Sequence, residues 1–158
     1  MPEWPPMFVD ESHVDAGHVS LEREVMDLLL AGDDPVLSGL REQLQQCRVA
    51  KRMFSGVGFV TDFALPTEVS PIDAKSLFFL SDVRADLNGQ RAAAGFHCQV
   101  KGGRLKLLEG FSFNDQWPST LMDFKAYYHY PASVAAKAPD QLGGTRNLDY
   151  VRSQWTKG

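Results

Sequence analysis

Glu109 lies within residues 95 to 113, GFHCQVKGGRLKLLEGFSF, where two alternating arms meet at Gly102-Gly103. A two-residue turn there aligns Phe96, Cys98 and Val100 on one arm with Leu105, Leu107, Glu109, Phe111 and Phe113 on the other. A carboxylate in an apolar row admits three readings: a proton donor with a raised pKa, a buried ion-pair partner, or the mark of a bulge that turns it outward. Treating Ser55-Gly56 as the turn of a second hairpin puts Arg52 opposite Phe59, in a row with Phe54, Val57, Thr61 and Phe63. Each hairpin then carries one charge among apolar neighbours, and the charges are opposite. An unpaired buried carboxylate costs on the order of several kcal/mol, so an ion pair between Glu109 and Arg52 is the structural expectation. The catalytic alternative makes Glu109 a proton donor or ligand anchor, with Arg52 as anion clamp and His97 nearby.

Asp82 and Asp86 alternate with Arg84 along one predicted strand. Paired carboxylates can share acid and base work, but the same spacing suits a solvated strand face that contacts a partner. In LEGFSFNDQWP, residues 108 to 118, the aromatics either finish a core or form a rim in which Trp117, Asn114 and Asp115 meet another protein. His13, His18, His97 and His129 lack ligand spacing, and Cys47 and Cys98 have no close cysteine partner, so neither a metal nor any other cofactor is expected. Gly56-Val57-Gly58 leads into a strand, which excludes a dinucleotide loop, and Ser55 precedes both glycines, which excludes a nucleophile elbow.

The elements that must position these residues follow from periodicity. Residues 1 to 19 show none and read as a flexible arm, with Trp4, Met7 and Phe8 as apolar anchors. Leu21, Val25, Leu28 and Leu29 have helical spacing behind a capping Ser20. Gly32 closes that helix, Asp34-Pro35 opens another, and Leu37, Leu40, Leu44 and Cys47 form its stripe. Strand patterns occupy residues 48 to 54, 57 to 65, 76 to 87, the arms of 95 to 113, and 123 to 131. Residues 131 to 158 read as a weakly ordered tail, in which Tyr150, Val151 and Trp155 could pack as a helical turn. The predicted architecture is α+β, one domain over 20 to 130, with two N-terminal helices on one face of a mainly antiparallel meander sheet of about five to six strands. The opposite face would stay partly solvated, and a partner or ligand belongs there.

At 158 residues one domain suffices, and a 44% hydrophobic share with 23% charged residues is that of a globular chain. A net charge of −4 with scattered Lys and Arg argues against nucleic acid. No secretory leader and no long apolar run is apparent, so the expected address is the cytoplasm, away from membranes.

FSGVGFVTDFALP, residues 54 to 66, and LEGFSFNDQWP resemble segments of a group of small stand-alone bacterial proteins without assigned function. That group pairs two helices joined by a GDxP turn (here Gly32 to Pro35) with a GVGF hairpin and an LEGFxxxxxWP segment. The resemblance spans about residues 20 to 130 and implies a compact α+β domain, with no activity or site residue attached. The functional expectation is therefore a non-enzymatic protein-binding module, of which an immunity protein that neutralises a toxin is one form. The alternatives are a small enzyme or small-molecule binder built on Glu109 and Arg52, and a homodimer formed through an edge strand or the arm.

Overall fold

The computed structural model of the chain describes residues 7–8, 14–114, 116–135 and 146–157. Helix α1 covers Ala16–Leu29, five residues earlier than the Ser20 cap implies. Asp15 takes the N-cap position without capping it; its Oδ2 accepts from the Leu121 backbone N–H at 2.7 Å, tying the helix to a distant loop. Helix α2, Pro35–Gln46, starts as the sequence predicts: Asp34 Oδ1 accepts from Val36 N at 2.8 Å and Pro35 occupies the first turn. Between the helices, Gly32 adopts φ +134, a backbone state that side chains oppose. The buried stripe of α2 is Leu37, Leu40 and Gln43. Gln43 is inside because it replaces backbone partners: its amide donates to Gly103 O at 2.9 Å and its Oε1 accepts from Leu105 N at 2.9 Å.

Among the described residues, eight strands form one antiparallel sheet. They are β1 (Met7–Phe8), β2 (Arg48–Phe54), β3 (Gly58–Ala64), β4 (Leu77–Leu80), β5 (Val83–Leu87), β6 (Gln90–Lys101), β7 (Arg104–Ser112) and β8 (Phe124–Tyr128). The order is β1-β2-β3-β7-β6-β5-β8, with β4 paired to the end of β6 that β5 leaves uncovered. Two meanders are thus joined where β3 meets β7. The arm expected to be loose supplies β1, which pairs with β2 through Met7 and Phe8. Leu21, Val25 and Leu29 of α1 and Leu37 and Leu40 of α2 form one core with Phe59, Phe78, Leu80, Ala85, Phe96, Cys98 and Leu108 of the sheet. Both helices cover this inner face, as the sequence predicts.

Two irregularities decide which way the charged residues point. Between β6 and β7 the register runs Val100 to Leu105 but Gln99 to Leu107, so Lys106 is an extra residue. From there Cys98 faces Leu108, and Glu109 sits opposite His97, not Phe96. A bulge does turn Glu109 outward, and it lies three residues before Glu109, at Lys106. Similarly, β4 and β5 run along β6 as one strand interrupted at Ser81-Asp82, where an extra residue turns Asp82 inward.

The segment read as a tail also contributes to the core. Residues Ala132–Ala135 form α3 and Leu148–Arg152 form α4. Val151 and Trp155 are buried, Trp155 against Phe78 at 6.0 Å between ring centroids. Arg146 reaches Asp82 with two hydrogen bonds, Nε to Oδ2 at 3.0 Å and Nη2 to Oδ1 at 2.8 Å.

Candidate functional site

Polar chemistry beneath the helices centres on Glu22 of α1. Arg52 Nη2 donates to Glu22 Oε1 at 2.8 Å and its Nε to Oε2 at 3.0 Å, a fork that matches a carboxylate. The Thr61 hydroxyl also donates to Oε2, and His18 Nε2 lies 2.8 Å from the same oxygen. Burial works to raise the Glu22 pKa, but the hydrogen bonds from His18, Arg52 and Thr61 outweigh it and hold the carboxyl at about 2. Glu22 is therefore an acceptor only, and the proton between it and His18 resides on Nε2. The other ring nitrogen has no such contact. That atom, Nδ1, is the buried side-chain polar atom without a hydrogen-bond partner among the described residues.

His18 also lines a cavity of about 340 Å³. Its walls come from the start of α1 (Val14, Asp15), the β2–β3 hairpin (Phe54, Gly56, Gly58) and the 117–121 loop (Trp117, Pro118, Ser119, Leu121). The His18 ring stands edge-on to Phe54 and Phe59 at 4.8 and 4.4 Å between centroids. Trp117 closes the far side against Phe59 at 5.2 Å, and its backbone N–H donates to Gly56 O at 2.7 Å. The hairpin that shapes this wall differs from the sequence reading: Phe54 pairs with Phe59 and Arg52 with Thr61, leaving four turn residues where two were expected.

The outer face of the sheet carries a second cluster. Rings run from Phe79 to His97 (6.0 Å), from His97 to Phe111 (4.9 Å) and from Phe111 to Phe113 (5.4 Å), and the Arg84 guanidinium lies 4.8 Å over the Phe113 ring. Gly95 makes this possible, because a Cβ there would meet the Phe111 ring at 2.8 Å. Phe79 and Phe113 are 37% and 46% exposed.

The residues singled out from the sequence separate across these two faces. Glu109 is exposed on the outer face beside His97, whereas Arg52 is buried on the inner face, so the expected Glu109–Arg52 pair does not form. The physical reason is the Lys106 bulge, which reverses the alternation before Glu109, and the availability of Glu22 one helix away. Asp82 is 4% exposed and paired with Arg146, so it is not on a solvated face. Asp86 does lie on the outer side, accepting from Ala92 N at 2.8 Å and from the Tyr127 hydroxyl at 3.2 Å. Trp117 packs inward on Phe59 and Phe96, and Asp115 is outside the described residues. The residue that the sequence reading passed over is Glu22, although His18 and Glu22 are four apart on a helix, where side chains meet.

Among the described residues, no three His, Cys, Asp or Glu side chains converge as a metal site would require, and no helix is long and apolar enough to cross a membrane. Burial pushes the Cys98 thiol up to about 12. No protein-family model matches the chain, and neither the curated proteins nor the solved structures match it significantly. Geometry alone carries the functional reading.

Proposed function

We propose that the protein is a non-enzymatic binding module that engages another protein through the outer face of its sheet. The observation that carries this reading is the row Phe79, His97, Phe111 and Phe113, left uncovered by either helix, with Arg84 stacked on its end. The Arg84 side chain donates no hydrogen bond among the described residues, so its donors are available while its plane is already ordered by the ring. Aromatic and arginine side chains dominate interface energetics because they bury much area at little entropic cost. The complementary surface offers apolar side chains to the rings and a carboxylate to Arg84. A net charge of −4 favours long-range encounter with a basic molecule, so the partner is basic overall with an acidic group at the contact. An immunity role toward a basic toxin is the narrower form of this proposal.

The competing enzyme reading loses support because Glu109 and Arg52 lie on opposite faces, and because the recess beside Glu109 holds only about 230 Å³. Ligand-binding cavities usually begin at about 300 Å³.

Affinity capture at low salt tests the proposal, using the native chain and Phe79→Ser/Phe113→Ser. The native chain should retain a stoichiometric partner that the double variant loses, with matching unfolding midpoints for both chains. Equal capture by both chains, capture of nothing, or recovery of a second copy alone overturns it; the last outcome would identify the face as a homodimer surface.

A further inference from the structure

Strand β4 pairs with β6 alone, and its other edge is open. Gly102 N donates to Ser76 O at 2.6 Å, and with the register Leu77 to Lys101, Phe78 to Val100 and Phe79 to Gln99 this makes Phe78 and Leu80 the residues bonded to β6. Leu77 and Phe79 therefore aim their N–H and C=O groups away from β6, and none of these four groups has a partner among the described residues. Their side chains lie on the outer face, 43% and 37% exposed. Edge strands normally carry charges, prolines or bulges that discourage pairing, as β8 does with its exposed Lys125. On β4 both outward positions are apolar.

The open stretch is bounded at each end. Trp155 O accepts from Lys75 N at 2.9 Å on one side, and Asp82 O accepts from His129 N at 2.9 Å on the other. Beyond His129 the chain leaves the line of β8: Tyr130 is buried and its hydroxyl donates to Asp82 Oδ2 at 2.9 Å. The line that β8 fills beside β5 is thus vacant beside β4 among the described residues. Lys75 to Asp82 spans about 23 Å of extended chain, which leaves room for about four or five residues between the two bounds.

We infer that the open edge of β4 takes an extended segment of a partner protein as an added strand, with backbone bonds to Leu77 and Phe79, apolar side chains beside theirs and a carboxylate directed to Lys101. Backbone donors and acceptors at strand spacing are matched by another strand, so the occupant is a peptide segment and not a small molecule. Lys101 sets the charge preference: it is the cross-strand neighbour of Leu77 on the same face, exposed and without an ion pair among the described residues. A second copy fits poorly, because its own β4 is flanked by the same Trp155 and His129 contacts, which would have to enter the gap with it. The inference rests on the outer-face reading for the partner's being a protein, and adds the form of the contact where the aromatic row ends at Phe79.

Titration of the 15N-labelled full chain with the blocked peptide acetyl-Val-Thr-Val-Thr-Glu-amide tests the inference, read by NMR at the backbone amides of β4. In the free chain the Leu77 and Phe79 amides should exchange freely with solvent while those of Phe78 and Leu80 are protected. Peptide at millimolar concentration should slow exchange at Leu77 and Phe79 by about ten-fold or more. The fully N-methylated peptide, with the same side chains and no N–H donors, should have no such effect, and Lys in place of its Glu should weaken binding. Leu77→Pro removes an outward N–H and leaves the bonds to β6 in place, so it should abolish the response, whereas Leu77→Ala should retain it. Phe113→Ser, which breaks the outer-face row away from β4, should also retain it, so that a failed outer face and a failed edge are told apart. Protected Leu77 and Phe79 amides in the free chain, whether covered by the chain itself or by a second copy, overturn the inference. So does an equal response to the N-methylated or Lys peptide, a full response in Leu77→Pro, loss of response in Leu77→Ala or Phe113→Ser, or no response at millimolar concentration.

Discussion

Glu22 gathers more of the protein's polar chemistry than any other side chain described. Its folded carboxyl sits near 2 against an ordinary 4.5, so the stability it confers is complete above about 4.5 and is lost as the pH falls towards 2. The shift corresponds to roughly 3 kcal/mol. Denaturation midpoints of the native chain should therefore decline between about pH 5 and pH 2, and Glu22→Gln should flatten that decline. At neutral pH the same variant should lose about 3 kcal/mol, because Arg52 and His18 converge on a group that no longer carries charge. A variant as stable as the native chain at neutral pH, or with an equally steep acid limb, would contradict this assignment.

At the scale of elements, the bulge in β7 sets the face on which Glu109 lies. Lys106 is exposed and unpaired in the ladder, and Leu105 and Leu108 face inward on either side of it. Removing Lys106 restores simple alternation: Leu105 in, Leu107 out, Leu108 in, Glu109 out. The deletion should fold with a loss under about 1 kcal/mol and unchanged amide-exchange protection from Leu107 to Ser112. If the row read from the sequence were the true one, the deletion would invert β7 beyond position 106 and expose Leu107 and Phe111. The hairpins and both N-terminal helices were legible because turn glycines, caps and periodicity act over a few residues. The bulge was not, since Lys106 and Leu107 are each compatible with either face and only the competition for the core selects between them.

On the scale of the whole molecule, the C-terminal segment closes the structure. Arg146 neutralises the buried Asp82 and also donates to Leu29 O at 2.6 Å and Ala31 O at 2.8 Å, satisfying carbonyls at the end of α1. The Lys75 backbone N–H donates to Trp155 O at 2.9 Å, fastening the segment to the loop before β4. Truncation after residue 145 removes Arg146, Val151 and Trp155 together. Loss of a buried Trp alone typically costs about 3–5 kcal/mol, and an unpaired buried Asp82 adds to it. The truncated chain should show no cooperative thermal transition by circular dichroism; a transition near that of the full chain would show that residues 146 to 157 are dispensable.

The amino-acid sequence by itself determined the class of fold, the two helices with their junction at Gly32 to Pro35, the hairpin at Gly102-Gly103, and a sheet face left uncovered by the helices. These follow from local backbone preference and from the alternation of apolar residues. Only the tertiary structure decided which charges meet. Arg52 finds Glu22 thirty positions away and Asp82 finds Arg146 across sixty-four, and in both cases the choice belongs to whichever oppositely charged group the packed helices and strands bring within reach. The unpartnered Nδ1 of His18 arises in the same way, because a nitrogen is left over only after the fold has assigned its neighbours.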